Sequence, residues 1–467
     1  MSAVSMQMSM TRPARRPSLL LVWAVVLLVA GAAIVAVGRS SYEGQMYLVT
    51  CALVAIVAAL VLPKAVARDG KLSVPFVATA LALHLVGSLF RYFIIQTVYH
   101  GVADANGYYG AGKVFAPMFR SLQFPALKAP YFGTPFVNWS TGILFAIIGT
   151  SMLGGFVVHS ALAFVGGWYF YKAFRVAFPA GDARLFAWLV FFLPSMWYWP
   201  SSLGKDSLVV TFLGLAAYGF AHLFRGVLFR GVLPAAIGVA GAFMIRPPIA
   251  TALMVAAAAA FILRPTRGRS PQVTVLTWLV TVPILALIAF YTVTHTAAWL
   301  GSSNAIDAFQ ENRLIQFHTG LSGSNFTPPN ALSPLGFPVA VITTTFRPFP
   351  WEAGGLFPTL TSLEGVLVGV LIVSRRREIL RGLRQWRSNG MVLFAVAAFL
   401  GLSVILSSLA NFGLLARERT QVLPFLFMLI CMVKKPRRAP PGRLQWPVAG
   451  ETEAEAGAPA PPAPVGA

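Results

Sequence analysis

Charged side chains of both signs recur in the polar turns that separate the long apolar runs of this chain. Asp104 lies in the turn HGVADANGYYGAGKVFAPMFR, Lys205 and Asp206 lie in PSSLGKDS, and Arg246 lies in IRPPIA. Further ionisable residues in such turns are Asp307, Glu311, Arg313, His318, Arg347, Glu352, Arg417, Glu418 and Arg419.

Residues of these types could hold a phosphate and move a proton. Arginine binds phosphate through paired hydrogen bonds, and lysine binds it as a point charge. A carboxylate close by can take a proton from a hydroxyl group, as general-base catalysis requires. This mixture fits a phosphate clamp with a base beside it, and Asp104 is the candidate base.

Each of these residues also has a structural interpretation. DANG is good turn chemistry, which would make Asp104 a loop residue, and GKD could begin a helix with Asp206 at its N-cap. Arg246 could extend to the membrane interface. Arg347 could pair with Glu352, and ARER could be interfacial charge.

Ionisable residues inside the apolar runs are fewer. Arg91 and Glu364 are candidates for function or for structural pairing, and His84 and His222 are expected to be satisfied within the bundle. The sequence contains no metal-ligand spacing, no P-loop and no nucleophile elbow, so no metal or cofactor is predicted.

The elements that must position the charged turns are membrane helices. Of the 467 residues, 57% are hydrophobic and only 11% are charged, and the mean hydropathy is +0.72. A soluble domain is about half apolar and about a quarter charged. Long unbroken apolar runs favour helices over barrel strands. The sequence therefore predicts an all-α polytopic membrane bundle, with Cys51 and Cys431 unpaired inside apolar runs.

About twelve apolar runs approach the ~20 residues that a spanning helix needs. They cover 17–38, 45–63, 74–96, 152–172, 184–201, 206–224, 231–246, 249–264, 273–295, 357–374, 391–410 and 420–433. The first run is longer than the apolar core of a signal peptide, which predicts an uncleaved span. The shorter segment 141–151 predicts a surface-lying or re-entrant helix.

Charge distribution predicts the orientation of the domain 17–433. With residues 1–16 in the cytoplasm, the cytoplasmic segments hold 25 of the 36 lysines and arginines, as the positive-inside rule requires. The net charge of +22 is then an orientation signal that lies against anionic lipid, and nucleic acid is not needed as a partner. Loops 97–140 and 296–356 fall on the outer face, and 434–467 is predicted to be a disordered cytoplasmic tail.

Several stretches resemble known membrane proteins. ADANGYYGAGKVFA resembles the first outer loop of GT-C glycosyltransferases, in which an aspartate precedes a tyrosine-containing surface helix. Four further stretches resemble a bacterial group of integral membrane proteins of polysaccharide assembly. They are FFLPSMWYWPSSLGKDSL, FMIRPPIA, RPFPWEA…LEG and NFGLLARERTQVLPFLF. The usual GT-C loop follows the first span and often carries a second acid, whereas this one follows the third, and residues 103 and 105 are alanines.

This resemblance implies a membrane glycosyltransferase of the cell envelope. It would transfer a sugar from a polyprenyl-phosphate donor to a glycan or lipid acceptor at the extracytoplasmic face of the cell membrane. Asp104 matches the catalytic base, and Lys205, Arg246 and Arg347 are the candidates for binding the donor phosphate.

Two other functions are compatible with these residues. An O-antigen-type polymerase or ligase resembles this chain in span number and would hold a lipid pyrophosphate with Arg417, Arg419, Arg313 and His318. A transporter or flippase of a lipid-linked sugar would instead favour polar residues through the midplane and matching Gly/Pro breaks in two halves.

Overall fold

A computed structural model of the protein describes residues 41–126, 131–263, 290, 325–331 and 333–435. This part of the chain is helical, apart from turns and one isolated bridge between Asn325 and Asn411. Its helices belong to one compact unit that ends at Lys434. The prediction of an all-α fold is confirmed for these residues. The predicted span 17–38, nearly all of 273–295 and nearly all of the tail lie outside them.

We number the α-helices of the described residues in chain order. They are α1 (Tyr42–Asp69), α2 (Val74–Phe93), α3 (Asp104–Arg120), α4 (Thr134–Ile148), α5 (Met152–Ala177), α6 (Ala183–Phe192), α7 (Pro194–Tyr198), α8 (Lys205–Phe224), α9 (Leu228–Ile245), α10 (Pro247–Leu263), α11 (Gly336–Phe346), α12 (Leu356–Ser374), α13 (Arg376–Leu383), α14 (Gly390–Leu406), α15 (Phe412–Glu418) and α16 (Leu423–Cys431). A π-helical turn, Ile94–Val98, extends α2, and 3-10 turns follow α13 (Arg384–Arg387) and α15 (Arg419–Gln421).

Six helices of the described residues are long and apolar enough to cross a membrane, which is the architecture of a helical membrane protein. They are α1, α2 with its π-helical extension, α5, α8, α9 and α12. A seventh candidate consists of α13 with its 3-10 turn together with α14, and this pair is bent by 115°. Shorter apolar helices are α4, α6, α10 and α11.

Three predicted spans are shorter in the structure than the sequence indicated, and one of them, 391–410, ends at Leu406 of α14. Run 184–201 is divided at Pro194 into α6 and α7, because proline lacks an N–H and clashes with the preceding turn of a helix. Run 420–433 opens with a 3-10 turn, which leaves nine residues in α16. The segment 141–151 mostly belongs to α4, a longer helix of 15 residues.

Close packing at the centre of the bundle depends on glycine. A Cβ atom on Gly214 of α8 would clash with the backbone of Gly166 in α5, and one on Gly238 of α9 would clash with the backbone of Ala216 in α8. Small residues allow membrane helices to approach this closely. Helix α8 is therefore held between α5 and α9, which fixes its first turn beside the last turn of α9.

Helices α3 and α4 form a second tight pair. A Cβ atom on Gly112 of α3 would lie 2.7 Å from the side chains of Thr141 and Phe145 in α4. Arg120 Nη2 donates a hydrogen bond of 2.7 Å to the Phe145 carbonyl oxygen, and Arg120 Nε donates one of 3.1 Å to the Ala146 carbonyl oxygen, which is one of the free carbonyls at the end of α4. This packing fixes the position of α3, whose first residue is Asp104.

Candidate functional site

Asp206 lies at the centre of a network of charged side chains. Its Oδ1 accepts a hydrogen bond of 3.1 Å from Arg246 Nη2, and its Oδ2 lies 3.0 Å from Arg417 Nε. Asp206 belongs to the first turn of α8, Arg246 to the junction of α9 and α10, and Arg417 to the last turn of α15. Helix ends that are far apart in sequence are thus joined through one carboxylate.

Each of these two arginines also reaches a second carboxylate. Arg417 Nη2 donates a hydrogen bond of 3.1 Å to Asp104 Oδ2 at the start of α3. Arg246 forms an ion pair with Glu418. These contacts link Asp104, Arg417, Asp206, Arg246 and Glu418 in turn, and Glu418 Oε1 also lies 3.8 Å from Arg417 Nη2. We refer to these five residues as the Asp206 network.

Local sequence explains why these side chains emerge at helix ends. Gly204 is the N-cap of α8, with a φ of 154° that favours glycine. Arg246 leaves the helical conformation, with φ −147° and ψ 88°, because a residue before proline is disfavoured there. The prediction that Asp206 is the N-cap is wrong, since Gly204 holds that position and the Asp206 carboxylate contacts two arginines instead.

Exposure separates Asp104 from the rest of the network. The Asp104 side chain is 62% exposed, whereas the side chains of the other four members are at most 20% exposed. A buried charge that loses its partner is strongly destabilising. Asp104 is therefore the member that can leave its partner at the smallest cost.

Lys205 is a half-buried cation beside the network. Asp104, Asp206, Arg246 and Arg417 all lie within its electrostatic range. Among the residues that the structure describes, Lys205 has no ion pair within 4 Å and no side-chain hydrogen bond. With Lys205 included, three cations face three carboxylates, so the charges at the site balance and one cation has no direct partner.

The surroundings fix the protonation states of the network. Burial, together with the negative charges of Asp104 and Asp206, raises the pKa of Tyr108 to about 12, so its hydroxyl group stays protonated. Burial would lower the pKa of Arg417, but Asp206 and Asp104 outweigh it and raise that pKa above its usual value. Burial lowers the pKa of Arg246 against the opposing effect of Asp206. Both guanidinium groups remain charged.

Arg347, a predicted phosphate ligand, pairs with a local carboxylate instead of a network member. Its Nε lies 2.9 Å from Glu352 Oε1 and 3.1 Å from Oε2. This is the pair that the structural interpretation of Arg347 predicted. Its guanidinium carbon lies 4.3 Å from the centroid of Phe326 and 5.1 Å from that of Phe412. Because Phe412 begins α15, Arg347 packs against the helix that carries Arg417.

Arg419 contributes to a different, fully buried contact. Its Nη2 donates hydrogen bonds of 3.0 Å to Glu364 Oε2 and 3.1 Å to the Thr361 carbonyl oxygen, both in α12. Glu364 also accepts a hydrogen bond of 2.6 Å from the backbone N–H of Ser195. The other two residues of the pyrophosphate hypothesis, Arg313 and His318, lie outside the described residues.

Two members of the network were not among the site residues predicted from sequence. Asp206 and Glu418 stood in the quoted turns GKD and ARER but were given structural roles there. The sequence does contain an indication for Glu418, which stands between two arginines. Successive residues of a helix point in different directions, so these three side chains cannot all face the same partner. Arg417 accordingly faces Asp104 and Asp206, whereas Arg419 faces Glu364.

Arg91 is held by aromatic rings. Its guanidinium carbon lies 5.2 Å from the centroid of Tyr198 and 4.8 Å from that of Trp199, and Nη1 donates a hydrogen bond of 3.3 Å to the Tyr198 hydroxyl.

Within the described residues, no group of three or more His, Cys, Asp or Glu side chains could hold a metal ion.

No protein-family model, curated protein or solved structure matches this chain. The site must therefore be interpreted from its own chemistry.

Proposed function

We propose that this protein transfers a sugar from a polyprenyl-phosphate donor to a glycan or lipid acceptor at the outer face of the cell membrane. The observation that carries the proposal is the contact between Arg417 and Asp104. It joins a guanidinium group that is fixed on one side to a carboxylate that is open to solvent.

Donor binding can exchange the partner of Arg417. A phosphate oxygen accepts the same hydrogen bonds from a guanidinium group as a carboxylate does. Asp206 keeps its contact with Arg417 Nε and so holds the guanidinium in place while the phosphate displaces Asp104 from Nη2. Lys205 supplies a second positive charge beside that position.

The released Asp104 can then act as the general base. It takes the proton of the acceptor hydroxyl group while the acceptor oxygen forms a bond to the anomeric carbon of the sugar. The bond between that carbon and the phosphate oxygen breaks, and its electron pair stays on the phosphate. Arg417 and Lys205 stabilise the charge that develops there. The products are the glycoside and polyprenyl phosphate.

The proposed topology has about twelve spans and both termini in the cytoplasm. Loops 97–140 and 296–356, the Asp206 network and Lys205 then lie on the outer side. Charge supports this orientation, because among the described residues most arginines without an ion pair lie at the opposite ends of the helices. Labelling of single thiols at the two ends of the helices tests this topology.

The polymerase or ligase hypothesis shares Arg417 with this proposal but also needs Arg419. Burial against Glu364 and Thr361 leaves the Arg419 side chain only 2% exposed, which favours a structural role for it. A pyrophosphate site that uses both arginines would require Glu364 to lose its partner. The double variant Arg419→Met with Glu364→Met removes both buried charges together, so neither is left unpaired. It separates the two hypotheses, because only the polymerase hypothesis expects it to abolish substrate binding.

The test of the proposed function is Asp104→Asn in purified protein reconstituted with candidate polyprenyl-phosphate sugars. We expect sugar transfer to fall by at least about 100-fold, because the amide cannot take the proton, while donor binding is retained. Asp182→Asn, which changes a carboxylate at the other end of the helices, is the matched control and should leave transfer unchanged. Full turnover by Asp104→Asn would exclude Asp104 as the base.

A further inference from the structure

A strongly basic helix lies at the opposite end of α8 from the Asp206 network. Helix α8 has 20 residues and therefore spans about 30 Å. Beyond its last residue, Arg225 Nη2 donates a hydrogen bond of 3.1 Å to the Ala177 carbonyl oxygen at the end of α5. Asn389 Nδ2 donates one of 2.8 Å to the same oxygen, which places the junction between α13 and α14 at this end.

One face of α13 and its 3-10 turn carries a series of exposed arginines. These are Arg376, Arg377, Arg381, Arg384 and Arg387. Among the described residues, none of them forms an ion pair, and the only acid of the segment, Glu378, is buried. The arginine that precedes the helix differs, because Arg375 Nη2 lies 2.6 Å from Asp182 Oδ2. The charge of the exposed face is therefore uncompensated.

The opposite face of α13 is attached to the bundle. A Cβ atom on Gly382 would clash with the side chain of Met432, just after α16. Ile379, Leu383 and Trp386 pack against the hydrophobic core. Since one face is fixed by this packing, the arginines are directed away from the bundle.

The direction of α13 places this face across the end of the bundle. The helix and its 3-10 turn are bent by 115° from the apolar helix α14. Lys434, which is exposed, follows Met432 by two residues and so lies within about 7 Å of it along the chain. The contact between Gly382 and Met432 therefore brings a sixth cation close to the arginine face.

We propose that these five arginines and Lys434 bind the phosphate groups of anionic phospholipids. Clusters of about four to eight basic residues beside a membrane helix are typical of anionic-lipid binding. A guanidinium group donates paired hydrogen bonds to phosphate oxygens. The helix lies across the ends of apolar helices, where lipid headgroups would be, and no carboxylate of the described residues pairs with its exposed face. This surface does not depend on the proposed sugar transfer.

The test uses the full-length protein in lipid nanodiscs of phosphatidylcholine with increasing fractions of phosphatidylglycerol. Amide hydrogen exchange of residues 376–387 reports whether the segment is held by lipid. We expect exchange to slow as the phosphatidylglycerol fraction rises, and the effect to weaken at high salt because screening shortens the range of the charges. Each basic residue near an anionic surface contributes a factor of roughly five in affinity.

The decisive variant replaces Arg381, Arg384 and Arg387 with glutamine. Its apparent affinity for phosphatidylglycerol should fall on the order of 100-fold, which removes the protection. The same three positions changed to lysine keep the charge and should retain protection, and Lys113→Gln on α3 should have no effect. The proposal is overturned if the glutamine variant responds like the wild type, or if phosphatidylglycerol leaves exchange unchanged. It is also overturned if inorganic phosphate in pure phosphatidylcholine discs gives the same protection.

Discussion

The two ends of the helix bundle both contain ion pairs, but they use them differently. In the Asp206 network Arg246 contacts two carboxylates, Arg417 contacts three, and Asp206 itself contacts two arginines. At the other end two carboxylates, Asp69 and Asp182, have one arginine each. Arg175 Nη1 lies 2.8 Å from Asp69 Oδ1, and Arg375 pairs with Asp182.

This difference separates a connected site from a set of simple links. The pairs at the α13 end join α1 to α5 and the start of α6 to the end of α12, and the remaining arginines face outward. In the Asp206 network, charges of both signs are nearly balanced and mostly buried, and one carboxylate is exposed. The first arrangement suits binding of an anionic surface, whereas the second suits exchange of one anion for another.

The prediction with the largest expected effect concerns the membrane sides of these two ends. In a protein whose Cys51 and Cys431 are changed to alanine, Val102→Cys and Ser388→Cys each introduce one exposed thiol. We expect a membrane-impermeant maleimide added to intact cells to label only the first, because the Asp206 end is proposed to face outward. After lysis both positions should react, which controls for their accessibility.

Labelling of Ser388→Cys but not Val102→Cys in intact cells would reverse the proposed orientation. Labelling of both positions in intact cells would place both ends on the outer side. It would contradict the view that the Asp206 network and α13 lie on opposite sides of the membrane. Neither result would change the contacts within the Asp206 network.

The next prediction compares the loss of one carboxylate at each end. Asp206→Asn leaves two mostly buried arginines without their shared partner, and breaking such a buried pair costs about 3–5 kcal/mol. Asp182→Asn removes one partly exposed pair, while the amide can still cap α6, so we expect a loss of about 1 kcal/mol. Unfolding of both variants by denaturant in detergent measures the difference.

Equal losses of stability in these two variants would contradict the distinction between a connected network and simple links. Asp206→Glu serves as a further control because it keeps the charge but lengthens the side chain. Its stability should fall between those of the wild type and Asp206→Asn.

The sequence predicted that these charges stand at helix ends, but not which of them would meet. Apolar runs and the charges between them define helix ends, so Asp104, Arg246 and Arg417 could be named from the sequence alone. Their partners depend on the rotation of each helix about its axis. That rotation is set here by close contacts such as Gly214 with Gly166, which a single sequence does not reveal.

Local chemistry also decided some contacts that hydropathy could not. Arg347 pairs with Glu352 only five residues away, and this short separation made the pairing predictable. Pro194 divides a run that a hydropathy average treats as continuous. Asp206 could be assigned to a helix start, yet its contacts with Arg246 and Arg417 required three helices to be placed together.

The prediction with the smallest expected effect on stability at neutral pH compares one tyrosine at each end of the helix bundle. Tyr171 donates a hydrogen bond of 2.7 Å to Asp69 Oδ2, so Tyr171→Phe should cost about 1 kcal/mol. Tyr108 contacts Gly204 through its ring, which phenylalanine keeps, and its hydroxyl group shares a hydrogen bond with the neutral side chain of Thr134, so Tyr108→Phe should cost about 0.5 kcal/mol. Denaturant unfolding at pH 7 measures both.

Raising the pH should reveal how the Tyr108 hydroxyl group contributes to the stability of the folded protein. The folded protein raises the pKa of Tyr108 to about 12, whereas a tyrosine in the unfolded chain has a pKa of about 10. Between these values the unfolded chain releases a proton that the folded protein keeps, so stability falls as the pH rises. Tyr108→Phe removes this contribution, and its unfolding free energy should decline less between pH 9 and pH 11.5 than that of the wild type. A parallel decline in both proteins would mean that burial and the nearby carboxylates do not raise the pKa of Tyr108 in the folded protein.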